Sequence, residues 1–139
     1  MTTLLKSATI IDTSSPHHNQ TKDILIVNGK IFKIADSIQQ ESSHKTIELE
    51  NLHVSCGWFD TSVSLGEPGY EERETIRKGL EVASKSGFTS IAVNSNTNPV
   101  IDSKSDVEFL INKAKNSATS LYPIGALTKE SKGVNMAEL

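Results

Sequence analysis

A single cysteine, Cys56, stands among the 139 residues, which excludes an internal disulfide framework and a cysteine-built zinc site and accords with a reducing compartment. No apolar run approaches the roughly 18 residues of a membrane span, and residues 1–12 hold too short an apolar segment for a signal peptide. We therefore expect a soluble, cytoplasmic protein with no membrane partner. Basic clusters are missing too: 14 Lys and Arg are scattered among 17 Asp and Glu, for a net charge of -3, so a phosphate-tracking surface and broad nucleic-acid binding are excluded. There is no low-complexity segment, and no Gly-x-Ser-x-Gly elbow to mark a serine nucleophile.

What is present is an ordinary globular composition, with 36% hydrophobic and 22% charged residues, enough to build a core. Residues 4–11 are rich in β-branched and aliphatic side chains, and residues 23–34 read as two strands hinged on Asn28-Gly29. That dipeptide suits a type I′ turn, in which both central residues need positive φ. A polar segment and a further strand at residues 46–49 complete what we expect to be a small antiparallel β unit, residues 1–55.

From residue 56 onward strands alternate with helices: strand 58–65, helix 72–86, strand 88–94, helix 103–116 and strand 120–125, with another helix opening at 134–139. In the first helix Ile76, Leu80 and Ala83 form an apolar stripe, and Gly87 suits a left-handed C-terminal cap. In the second, Val107, Leu110, Ile111 and Ala114 form the stripe behind a Ser103 N-cap. Repeated βα units imply a parallel sheet. The expected fold class is α/β, the start of a TIM-like (β/α) barrel in residues 56–139 preceded by a small antiparallel β-sandwich unit. Three parallel strands leave open edges, so we expect a fragment that folds poorly alone and whose first partner is the remainder of its own barrel.

Alternation along a strand places Trp58, Asp60, Ser62 and Ser64 on one face. Ser62 and Ser64 fall at the C-terminal end of that strand, where closed βα barrels build their active sites. Here the residues become specific. The run Gly57-Trp58-Phe59-Asp60-Thr61-Ser62-Val63-Ser64-Leu65-Gly66-Glu67-Pro68-Gly69-Tyr70-Glu71 resembles the dihydroorotase signature of the amidohydrolase superfamily, Pro-Gly-aromatic-x-Asp-x-His-x-His-x-Arg-Glu-Pro-Gly. Glu74-Thr75-Ile76, Gly87-Phe88-Thr89, Asn96-Thr97-Asn98-Pro99-Val100 and the run from Pro123 to Lys129 resemble later family motifs in the same order.

Carried over by this resemblance, Ser62 and Ser64 stand where the family has two zinc-binding histidines, and Gly66 stands where it has the arginine that holds the substrate carboxylate. Serine hydroxyls are neutral and weakly donating, whereas zinc favours imidazole, thiolate or carboxylate, and glycine offers no guanidinium fork. Cys56 and Ser95 replace prolines. Asn96 is retained and implies a substrate-binding role, although residues 94–99 also suit a turn in which Asn side chains cap local backbone. Asp60 is either a luminal carboxylate, as in the family, or one that merely holds neighbouring backbone. None of the four histidines supplies a replacement pair: His17, His18 and His44 lie in polar loops, and His53 has no partner.

The resemblance therefore implies a dihydroorotase-like protein of pyrimidine biosynthesis without catalytic residues or bound cofactor in this segment. It would act as a structural or regulatory partner, as do inactive homologues that assemble with aspartate carbamoyltransferase, and would be a homo-oligomer when complete. Two alternatives stay open. One is an active dihydroorotase or cyclic amide hydrolase that binds zinc through ligands after residue 139, using zinc-activated hydroxide; the other is a module that holds a small ligand without turnover.

Overall fold

Asn28 and Gly29 both adopt positive φ, at 50° and 76°, as the type I′ turn requires. They join β2 (Thr21–Val27) to β3 (Lys30–Ala35) as an antiparallel hairpin in the computed structural model, which describes residues 1–139. Two compact units are present, Met1–Cys56 and Gly57–Leu139.

In the first unit, β1 (Thr2–Ile11) pairs antiparallel with β2, while β4 (Lys45–Glu48) and β5 (His53–Ser55) pair with β1 in parallel. The resulting five-stranded sheet, in the order β3-β2-β1-β4 with β5 also on β1, is mixed. The expectation of a purely antiparallel unit is corrected by this. Because β3 runs in the direction of β1, the polar segment that follows must cross back before β4 begins, and β4 then enters parallel to β1.

The buried Asp23 carboxylate organises that crossing. It accepts the Ser7 amide at 2.9 Å, within a bulge of β1 where Ser7 has φ 52°, and the Ile38 amide at 2.8 Å, and it pairs with the Lys6 ammonium. Burial pushes this carboxyl up, but Lys6 and the two amides outweigh that and hold it below the usual carboxylate range. A small core of Ala8, Ile10 and Ile24 closes beneath, with Leu5, Ile26, Ile34, Leu52 and Val54 packed against it.

In the second unit β6 (Trp58–Val63), β7 (Phe88–Val93) and β8 (Ser120–Pro123) form a parallel sheet in that order. Helices α1 (Ile76–Lys85) and α2 (Lys104–Lys113) pack on it around Leu65, Ile76, Leu80, Ile91, Val93, Ile101, Leu110 and Leu121. The stripe expected on α1 is the buried one. On α2, Val107, Leu110 and Ala114 turn inward but Ile111 is exposed, because a 3.6-residue turn carries the residue after Leu110 past the edge of the contact.

Several elements are shorter than expected: β6 ends at Val63, α2 at Lys113 and β8 at Pro123. Helix α1 begins four residues later than residue 72, at Ile76, where Thr75 is the N-cap and accepts the Lys78 amide at 3.3 Å. Ser103 caps α2 as expected, in a reciprocal capping box with Asp106, and Gly87 takes φ 90° after α1. Residues 134–139 are not helical. Residues 134 and 135 bend, and Met136 and Glu138 bridge to Thr128 and Ser103, with the Ala137 amide on the Leu127 carbonyl at 3.1 Å and the Glu138 amide on that of Asp102 at 3.0 Å. These tertiary bonds satisfy groups that a lone helical turn would leave open.

Candidate functional site

The site is set by a bulge in β6. Asp60 lies level with Ile91 and Val63 level with Val93, so three steps along β6 match two along β7. Val63 packs against the core below the sheet, and Ser62 and Ser64 on either side of it are therefore turned to the other face. Asp60 lines a cleft of about 220 Å³ under α1, which Ser64 also lines together with Val63, Gly79, Ala83 and Ile91. The Asp60 carboxylate accepts the Ser62 amide at 3.0 Å, a contact that holds local backbone.

At the C-terminal ends of β6 and β7 four polar side chains meet. The Asn94 side-chain nitrogen Nδ2 donates to Ser62 Oγ at 3.2 Å and lies 3.4 Å from Ser64 Oγ, while Asn96 Nδ2 donates to Ser64 Oγ at 3.0 Å. The Asn94 backbone amide also donates to the Val63 carbonyl at 2.8 Å, which fixes the end of β7 abreast of the two serines. Ser62, Ser64 and Asn96, singled out from sequence, are therefore together. Asn94, which the sequence reading sets at the end of the strand 88–94 and at the start of a turn, is the hub that joins them; its one legible signal was that place at a strand end.

Beside this cluster the chain from 66 to 74 forms a tight loop. The Gly66 amide donates to the Glu74 carbonyl at 2.9 Å and the Tyr70 amide to the Gly66 carbonyl at 2.7 Å. A Cβ at position 66 would overlap the carbonyl oxygens of Tyr70 and Glu74, so this backbone has no room there for any side chain. The loop is tied to the turn after β7 by the Asn98 amide on the Pro68 carbonyl at 3.0 Å. Arg73, the nearest guanidinium in sequence, stacks on the Tyr70 ring at 4.3 Å.

Glu67 was missed as a functional position by sequence reasoning. It is buried, accepts the Ile76 amide at 2.9 Å and pairs with Lys113 at 2.9 Å, thereby capping α1 and linking it to α2.

No group of three His, Cys, Asp or Glu side chains is arranged to hold a metal ion. Two hydroxyls already engaged by amide hydrogens do not fit zinc, which binds imidazole, thiolate or carboxylate. The histidines make local bonds instead: His17 with Gln20 at 3.3 Å, His18 with the Asp12 amide at 3.2 Å, and His53 with the Asn51 carbonyl at 2.6 Å. His44 lies against Glu41.

Comparison with known proteins places this arrangement. Residues 52–139 match the family model described as dihydro-orotase-like. The chain belongs to the dihydroorotase-like family. It is 39% identical over 140 residues to a dihydroorotase of Ruminiclostridium cellulolyticum, covering 100% of this chain and 32% of that protein. It is 36% identical over 140 residues to a dihydroorotase of Geotalea daltonii, covering 100% and 33% respectively. The chain thus spans about one third of the length of the curated relatives it matches.

Among solved structures, an L-hydantoinase (dihydropyrimidinase) from Arthrobacter aurescens superposes with a TM-score of 0.75 at 19% identity, over 91% of this chain and 28% of that one. A dihydroorotase superposes with a TM-score of 0.64 at 17% identity, over 93% and 32%. At that identity the likeness is one of fold.

Proposed function

We propose that this chain is the opening portion of a dihydroorotase-like protein of pyrimidine biosynthesis whose site at the ends of β6 and β7 turns over no cyclic amide. Its βα units are the start of an amidohydrolase (β/α) barrel, and the complete cytoplasmic protein serves as a structural or regulatory partner. The observation that carries this reading is the serine pair. Where the family resemblance puts two imidazoles, Ser62 and Ser64 accept hydrogens from Asn94 and Asn96, and position 66, where it puts an arginine, has no room for a side chain.

Hydroxyls engaged in this way supply neither a metal ligand nor a base near neutral pH. The scaffold then offers fold and surface rather than chemistry. Aspartate carbamoyltransferase is the partner we propose for that surface, together with self-association of the complete protein.

A second reading is favoured by one observation, the 39% identity along the whole chain to a protein named dihydroorotase. Under it, later strands supply a different ligand set and the protein is an active, zinc-dependent cyclic amide hydrolase. Interconversion of carbamoyl aspartate and dihydroorotate by the intact, folded protein supplied with zinc separates the two. Turnover establishes the active enzyme; no turnover, with a stable complex formed with the transferase, establishes the partner role.

A further inference from the structure

Asn94 occupies a position that the sheet leaves it no freedom to vacate. Val93 is buried, level with Val63, and the Asn94 amide is bonded to the Val63 carbonyl at 2.8 Å. Alternation then turns the Asn94 side chain away from the core and onto the face where Ser62 and Ser64 stand. One amide nitrogen lies 3.2 Å from Ser62 Oγ and 3.4 Å from Ser64 Oγ, with two hydrogens to direct, one at each oxygen.

We infer that Asn94 is the residue that decides what this pair of positions can hold: its amide hydrogens fill the place between positions 62 and 64 that a cation would take. A cation held there must sit on the lone pairs of both residues, and those lone pairs face the positive end of the amide dipole. Asn96 adds a further hydrogen to Ser64 at 3.0 Å. Replacing the serines with imidazoles would leave the Asn94 backbone where it is, because its place is set by the pairing at the end of β7 and not by the hydroxyls, and its side chain would still issue between the two positions. Its hydrogens would then bond the acceptor nitrogens of the new imidazoles and compete directly with metal. The site is closed to metal by Asn94 in addition to the two serines. This rests on the proposed function above and deepens it, since it names the residue that stands between the present site and a metal site.

The test compares zinc affinity, by competition with a chromophoric chelator, for the intact protein carrying Ser62→His with Ser64→His, and for the same protein carrying Asn94→Ala as well. The second variant is expected to bind zinc at least about tenfold more tightly than the first, within the range that groups around metal ligands exert. Cobalt absorption should show imidazole coordination more strongly in it. A smaller ratio overturns the inference, whether both variants bind tightly or both weakly. If the multiple variants do not fold, Ser64→His with and without Asn94→Ala gives the same comparison. Failure of the proposed function is seen separately, as tight zinc binding or turnover by the unaltered protein.

Discussion

The Asn96 side chain donates to the Ser64 hydroxyl at 3.0 Å, joining residues 32 positions apart in sequence across the ends of two parallel strands. In the reading proposed above, Ser64 is a position at which the chain departs from the family's pattern and Asn96 one at which it keeps it. The retained residue is thus bonded to the altered one. A side chain that the family resemblance assigns to substrate spends a hydrogen on the scaffold.

Ser64 accepts two amide hydrogens and Ser62 one. Removing the Ser64 hydroxyl is therefore expected to cost more than removing that of Ser62. Both positions are solvent-accessible, so Ser64→Ala should destabilise by about 1 kcal/mol and Ser62→Ala by about half of that. Urea unfolding of the two variants checks the order; equal or reversed costs would show that the amides do not favour Ser64.

Glu67 combines a cap on α1 with an ion pair to Lys113. Glu67→Ala removes both and leaves the Ile76 amide buried without a partner, at an expected cost of about 1–3 kcal/mol. Glu67→Gln keeps an oxygen for that amide and should cost less than half as much. The lysine end of the pair is half-exposed, so its loss is screened by water. Denaturant midpoints that place Gln no better than Ala would assign the stabilisation to the ion pair instead.

Asp23 gives a pH dependence whose sign follows from its surroundings. Its folded-state carboxyl titrates below the usual range, while in the unfolded chain it returns to about 4. The stabilisation is therefore fully present above that unfolded value and is lost as the pH falls through the lower folded value. Asp23→Asn should remove part of the acid sensitivity between pH 5 and the acid limit, visible as a flatter plot of unfolding midpoint against pH. An unchanged slope would mean that other carboxylates carry the acid transition.

Gly66→Ala is expected to destabilise by about 1–3 kcal/mol, the cost of forcing an extra carbon into a filled space, because its Cβ meets the Tyr70 and Glu74 carbonyls. Hydrogen exchange at the Tyr70 amide should quicken as the loop opens. A variant as stable as the parent would show that the loop relaxes freely, and that an arginine at this position is sterically accessible after all.

Much of the architecture was legible because it depends on neighbours in sequence. The Asn28-Gly29 turn, the Ser103 capping box and the Gly87 cap each need only a few adjacent residues, and the apolar stripes of α1 and α2 follow from helical period. The start of α1 was misplaced because its first amide is served by Glu67, nine residues earlier, a partner that no local pattern announces. The antiparallel expectation for the first unit failed for a similar reason. Strand direction there follows from where the 36–44 crossing delivers the chain, and the buried Asp23 sets that path.

The sequence by itself determined the element types up to β8, the βα alternation and the identity of the residues that stand at positions 62, 64 and 66, since these rest on local propensity, hydrophobic period and motif order. Only the tertiary structure decided what those residues do. The bulge in β6 and the Asn94 amide between two serines arise from pairing β6 with a strand about thirty residues away, and the lack of room at Gly66 arises from the folded path of residues 66–74. Such contacts depend on register and backbone path in three dimensions, which the one-dimensional order of side chains does not specify.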